Sequence, residues 1–290
     1  MKIHRFAIII GVQKGGTTSL FNYLSQHPNI ARSRLKETNF FSKEKRWQRG
    51  LDYYEKLWQW DARQHTIALE GSPSYTRSLE DARRVIGRIK ATDAEFKFIY
   101  ILRDPIKRIA SMREHGSYAG WYTKQLAEET QDSLPLSVIE SVSYATMADE
   151  FVNAFSKKNL LLLKTEDLKE PTSAQNLMVK TCDFLGIDSQ YNFSLGKVHN
   201  AKNSYRKDTA WSKLKDTKNL GLVKNLAPEP MKNYFRALLS KPSEKQAMPP
   251  PLTEQQKGFI LDKLESEFSK LETQYNFDLS GWGQRRTVSS

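Results

Sequence analysis

Phe6-Ala7-Ile8-Ile9-Ile10-Gly11-Val12-Gln13-Lys14-Gly15-Gly16-Thr17-Thr18-Ser19-Leu20 is the stretch that decides the fold. Its first half is an apolar run rich in β-branched residues and reads as a fully buried strand. Its second half brings glycines, a lysine and hydroxyl residues into quick succession. A helical pattern follows at once, with Leu20, Phe21 and Leu24 on one face and His27-Pro28 as its end. A strand that feeds a helix through a glycine-rich turn makes an anion site. Its glycines let backbone N–H groups close on a ligand, and the first helical turn offers unpaired donors and positive dipole. Lys14 adds a point charge, and Thr17, Thr18 and Ser19 add hydroxyl donors, with Gly15 and Gly16 supplying the amides. These residues by themselves leave open a plainer alternative, a tight turn carrying a solvated lysine.

The spacing separates this loop from that of nucleoside-triphosphate enzymes. Their motif, G-x-x-x-x-G-K-[ST], sets lysine after the second glycine and then a hydroxyl for magnesium. Gly11 and Gly16 have that separation, but Thr17 stands where the lysine belongs and Lys14 lies inside the loop.

A second corner is written in Lys97-Phe98-Ile99-Tyr100-Ile101-Leu102-Arg103-Asp104-Pro105. Phe98 to Leu102 reads as another buried strand. Asp104 then caps a helix that has Pro105 at its first position, continued by Ile106, Ile109 and Arg113 at helical spacing. Arg103 therefore falls at the carboxyl end of a parallel strand, where open α/β sheets contact their ligands. Ser111 lies about two turns along the helix. An arginine fork and a serine hydroxyl suit a phosphate. On these residues alone, an Arg103 paired with Asp104 and a Ser111 merely facing solvent are the better reading.

The rest of the chain alternates strand and helix. A short helix from about Gly50 to Trp58 carries aromatic rings over the sheet. Ile67 to Glu70 is a strand ending at the turn Gly71-Ser72-Pro73-Ser74-Tyr75, and Asp81 to Ile89 is helical. Val138 to Phe155 is helical, Asn159 to Leu163 a buried strand, and Pro171 to Leu185 a helix stopped by Gly186. Crossovers of this length imply an α/β fold with a mostly parallel central sheet and helices on both faces. Residues 198–241 are basic and weakly periodic, a long functional loop with short helices in expectation. Pro249-Pro250-Pro251 is a stiff connector. Thr253 and Gln256 form a capping-box pattern at the start of a final helix, whose stripe is Ile260, Leu264, Phe268, Leu271 and Tyr275. The expectation is one domain over residues 1–290, with a core from 6 to 186.

The 290 residues carry a net charge of +12, from 45 Lys and Arg against 33 Asp and Glu. Such an excess favours an anionic ligand or polymer and says nothing about fold. No helix-turn-helix, zinc finger or aromatic RNA motif accompanies the charge, which speaks against a nucleic-acid-binding role. The single cysteine, Cys182, excludes an internal disulfide framework and a cysteine zinc cluster. It reads as a buried inert thiol. The absence of a signal peptide or membrane-length apolar run leads to the expectation of a cytoplasmic protein.

Taken together, several segments resemble the sulfotransferases that use 3′-phosphoadenosine 5′-phosphosulfate (PAPS), in particular the carbohydrate, heparan-sulfate-type branch and its bacterial relatives. They are the Gly11–Leu20 loop, His27-Pro28, Lys36-Glu37-Thr38-Asn39-Phe40-Phe41, Ser72-Pro73-Ser74-Tyr75, Leu102-Arg103-Asp104-Pro105 with Ser111, and Glu166-Asp167-Leu168. The resemblance implies that Lys14 and the amides from Gly15 to Ser19 hold the 5′-phosphosulfate, and that Arg103 and Ser111 hold the 3′-phosphate. It implies that Glu37 is the general base and that no metal is needed. The alternative for Glu37, from its neighbours alone, is a surface carboxylate paired with Lys36 or Arg34. Lys202 and Arg206 are candidates to close over the cofactor. Phe41, Ser72, Tyr75 and His115 are candidate contacts for a carbohydrate or small-molecule acceptor. Some heparan-modifying relatives carry a lysine where this chain has Gly71, a departure that bears on the acceptor.

Overall fold

The structure is a computed structural model. It describes residues 2–116, 129–196 and 249–283 in full, and residues 117–119, 206–207 and 241–242 by backbone alone. The chain divides into two compact units: Met1–Met112 with Glu129–His199 and Leu252–Ser290, and Arg113–Glu128 with Asn200–Pro251.

The first unit is built on a five-stranded sheet, β1 (Arg5–Gly11), β2 (Ile30–Arg32), β3 (Ile67–Gly71), β4 (Glu95–Leu102) and β5 (Leu160–Lys164), in the order β2-β3-β1-β4-β5. Every pairing is parallel. Such a sheet is covered on both faces, which is why its strands are continuous apolar runs rather than alternating ones. Phe6, Ile8 and Ile10 of β1 and Phe98 and Tyr100 of β4 point into one core. There they meet Val85 and Ile89 of α4 (Leu79–Lys90) together with Tyr144, Ala148 and Phe151. Ala7, Ile9, Ile99 and Ile101 point the other way. They meet Leu20 and Leu24 of α1 (Thr17–Leu24) and Met178, Cys182 and Leu185 of a helix spanning Pro171–Leu185.

The connections place the site. From β1 the chain passes through α1 to β2 on one side of the sheet, whereas from β4 it passes to β5 on the other. The carboxyl ends of the adjacent strands β1 and β4 therefore flank the switch point, where the two departing connections leave a crevice.

Local signals set several boundaries. Gly186 ends its helix in the left-handed region at φ 68°, which costs glycine nothing. The Thr253 hydroxyl accepts from the Gln256 amide, and the Gln256 side chain accepts from Thr253 N, a complete capping box. Three expectations need correction. The helix expected from about Gly50 to Trp58 is shorter, α3 (Leu51–Glu55), and another short helix, α2 (Glu44–Trp47), precedes it. The region expected as one helix from Val138 to Phe155 is two, Leu136–Ser141 and Tyr144–Phe155. The Ser141 and Ser143 hydroxyls donate back to the Val138 and Ile139 carbonyls at the break, the competition with the helix ladder that serine brings. The final helix likewise breaks at the buried Leu264 into Glu254–Lys263 and Glu265–Tyr275, and the Ile260, Leu264, Phe268 and Leu271 stripe stays buried across the break.

In the second unit the described backbone includes an antiparallel pair, Arg206–Lys207 with Lys241–Pro242. Helix α5 spans Pro105–Ala119, so its last residues, from Arg113, belong to this unit.

Candidate active site

The loop after β1 turns its carbonyls inward. Gln13 O accepts from Arg108 Nε at 3.1 Å and Lys14 O from Arg103 Nη1 at 2.9 Å. Gly15 O accepts from the Thr165 hydroxyl at 2.6 Å. Lys14 sits at φ 67° and Gly16 at φ 83°, left-handed conformations that turn successive peptides over. Gly15 admits no side chain, because a Cβ there would lie 2.5 Å from Val12 Cγ2 and 3.0 Å from the Ile101 carbonyl oxygen. With Gly16 as N-cap, α1 begins without a side-chain cap. Its first-turn amides at Thr17, Thr18 and Ser19 are therefore left for an anion, together with the dipole's positive end. Uncapped amides, hydroxyls and a lysine are the kind of residues that fit a phosphosulfate.

Arg103 sits at the end of β4, half-buried, and its peptide to Asp104 is fastened on both sides. The Tyr144 hydroxyl donates to Arg103 O at 2.8 Å, and Asp104 N donates to Glu166 Oε1 at 3.4 Å. Burial pushes the Tyr144 phenol up to about 12, against the pull of Arg108, so it stays a donor. The buried Asp104 carboxylate accepts from Ile106 N at 2.9 Å and Lys107 N at 3.3 Å, the expected cap of α5. It also pairs with Lys107 Nζ at 3.1 Å, so Asp104 takes the cap and a lysine while Arg103 faces Lys14. Ser111 is half-buried further along α5, and the described hydrogen bonds do not join it to Arg103.

Glu37 lies on the segment that follows β2, half-exposed, with Oε1 3.3 Å from Lys36 Nζ. Its loop is fastened underneath by Glu70, the last acidic residue of β3 and fully buried. Glu70 accepts from Tyr54 OH at 2.7 Å, Ser72 Oγ at 2.7 Å, Tyr75 OH at 3.1 Å and the Thr38 hydroxyl. Burial raises the Glu70 pKa, and the four hydroxyl bonds oppose that shift. Arg46 Nη1 also donates to the Glu37 and Thr38 carbonyls. Phe41, Ser72 and Tyr75, expected at the acceptor, occupy this buried support. Phe41 packs between Tyr54, Trp47 and Tyr75, and the two hydroxyls are spent on Glu70.

Two residues escaped the sequence reading. Glu70 read as the end of a strand, and its burial among hydroxyls from distant segments has no local sign. Lys36 read as part of a charged surface, yet its Nζ donates to Thr17 Oγ1 at 3.1 Å, linking the Glu37 segment to the start of α1. His115 belongs to the second unit. Lys202 lies outside the described residues, as does the Arg206 side chain.

A sulfotransferase domain family model matches residues 5–264. The chain belongs to the sulfotransferase family. Relatives of this chain include the human bifunctional heparan sulfate N-deacetylase/N-sulfotransferase 3, 26% identical over 263 residues, covering 80% of this chain and 28% of that protein. Another is the human heparan sulfate glucosamine 3-O-sulfotransferase 3B1, 28% identical over 193 residues, covering 62% of this chain and 46% of the relative. The chain thus spans less than half the length of these relatives. Among solved structures, a sulfotransferase from Alicyclobacillus acidocaldarius is similar with a TM-score of 0.57 at 20% identity, covering 95% of this chain and 97% of the other. That likeness shares the α/β fold with its parallel central sheet. Among the described residues no helix is long and apolar enough to cross a membrane.

Proposed function

We propose that residues 1–290 act as one sulfotransferase domain. It would move a sulfuryl group from PAPS to a hydroxyl or amine on a sugar or small-molecule acceptor, by in-line transfer without a metal. The observation that carries this reading is the meeting of two strand-to-helix corners at the sheet's switch point, joined by the Arg103 bond to the Lys14 carbonyl.

PAPS would supply an activated sulfuryl group on a good leaving phosphate. The uncapped first turn of α1, with the Gly16 to Ser19 amides, would hold the 5′ end; the Gly15 amide, expected among them, donates instead to the Val12 carbonyl at 2.9 Å. Lys14 would offset charge growing on the leaving oxygen, the electrostatic contribution that usually dominates transfers of this kind. The Arg103 fork and the Ser111 hydroxyl would take the 3′-phosphate. Glu37, exposed and on a segment fastened through Thr38 to buried Glu70, would accept the acceptor's proton. The relatives' names give heparan sulfate glucosamine as an acceptor for those proteins. For this chain the class is kept broader, since Gly71 stands where some of that branch carry lysine.

The test is transfer of radiolabel from labelled PAPS into a panel of sugars, phenols and amines, with EDTA present. Labelled product formed in EDTA supports the reading. Turnover of ATP with magnesium, and none of PAPS, would remove it.

A further inference from the structure

Lys36 reaches from the segment carrying Glu37 to the loop carrying Lys14. Its carbonyl accepts from Gly71 N at 2.9 Å, which fixes residue 36 beside the end of β3. Its stem then crosses Gly71. A Cβ built on that glycine would lie in ordinary contact, 3.5 Å from Lys36 Cε and 3.7 Å from Cγ, so the stem runs directly over residue 71. The side chain is 19% exposed, and Nζ stands 3.1 Å from Thr17 Oγ1 and 3.3 Å from Glu37 Oε1. Burial lowers the pKa of this ammonium, and the Glu37 carboxylate opposes the shift.

An ammonium has three N–H donors. Thr17 and Glu37 engage two, leaving one to address an anion between them. Thr17 opens the helix that would hold the donor's 5′ end, and Glu37 would receive the acceptor's proton. In an in-line transfer the sulfuryl group travels between these two places.

We propose that Lys36 is a second catalytic cation, whose Nζ donates to a non-bridging sulfuryl oxygen of the donor; this rests on the PAPS reading given above. In the step, the acceptor oxygen or nitrogen forms a bond to sulfur and its proton passes to the Glu37 carboxylate. The bond from sulfur to the bridging oxygen breaks, and its electron pair stays on the 5′-phosphate of the departing 3′-phosphoadenosine 5′-phosphate (PAP). Lys36 keeps its proton throughout and acts by hydrogen bonding and charge. Because its partner oxygens belong to the sulfuryl group, Lys36 separates the donor from the product: PAPS has those oxygens and PAP does not.

That difference gives a test that needs no acceptor. Calorimetric titration of PAPS and of PAP is compared for the native protein, Lys36→Met and Lys36→Arg. Methionine keeps an unbranched stem over Gly71 and removes the charge. Lys36→Gln replaces it if thermal melting shows that the methionine variant does not fold. We expect the neutral variant to lose about tenfold or more in PAPS affinity, the scale of a lost hydrogen bond to a charged group, and to hold PAP within about threefold. Lys36→Arg should recover part of the PAPS affinity. Equal losses for PAPS and PAP would make Lys36 a support for the loop, and unchanged PAPS affinity would make it a bystander; either overturns the inference. A native protein that binds neither nucleotide would overturn the donor reading itself, a failure distinct from these two.

Discussion

The Arg103 guanidinium donates through Nη1 to the Lys14 carbonyl oxygen at 2.9 Å. The loops after β1 and β4 are therefore one hydrogen bond apart, and in the proposed function their two cations serve one nucleotide. Arg103→Lys would remove the fork and, with it, one of the bonds that turn the loop carbonyls inward. We expect PAP affinity to fall by about tenfold to a hundredfold, the range for a charge-assisted bond, with 5′-AMP affected less. Calorimetry with both nucleotides checks this; equal losses would assign Arg103 to the loop alone.

Glu37→Gln keeps the shape of the side chain and removes the proton acceptor. Turnover of any acceptor the native enzyme sulfates should drop by about a hundredfold or more. PAP affinity should hold within about threefold, since in the proposed mechanism Glu37 addresses the acceptor and not the nucleotide. Residual activity near the native level would take Glu37 out of the mechanism.

Trp282 touches both groups that fasten the Arg103–Asp104 peptide. Its Nε1 donates to Glu166 Oε2 at 3.1 Å, and its ring meets the Tyr144 ring edge-on with centroids 5.9 Å apart. Trp282→Phe keeps much of the packing and loses the N–H. The expected loss is one net hydrogen bond, about 1 kcal/mol or roughly fivefold, felt in PAP binding and not in 5′-AMP binding. Thermal melting run alongside separates this from general loosening.

Cys182 lies fully buried beneath the sheet, and burial pushes its thiol up to about 12. The thiolate is the reactive form, so at a pH near 8 the native protein presents almost none. A disulfide reagent such as DTNB should modify Cys182 only at the rate of unfolding, and that rate should rise with denaturant. Fast native labelling would contradict the packing of Pro171–Leu185 on the sheet.

The strands β1, β4 and β5 were legible because a parallel sheet buried on both faces writes itself as unbroken apolar runs. The corners were legible because Asp104-Pro105 and the glycines after β1 have local conformational reasons. The strand Ile30–Arg32 is too short for any periodicity to show. The breaks at Ser143 and Leu264 carry no proline or glycine, so nothing in the pattern marks them. Lys36 and Glu70 were opaque for a different reason. A lysine beside a glutamate looks like a solvated pair until tertiary structure lays its stem over Gly71. A glutamate closing a strand looks exposed until Thr38, Tyr54, Ser72 and Tyr75 gather around it.

The most direct measurement is a nucleotide series in EDTA: PAP, 5′-AMP and adenosine 3′-phosphate titrated into the same protein by calorimetry. If one adenosine is held at both ends, PAP should bind at least about tenfold more tightly than either monophosphate, each of which forgoes the charge-assisted bonds of one corner. A PAP affinity no better than that of 5′-AMP would contradict the account.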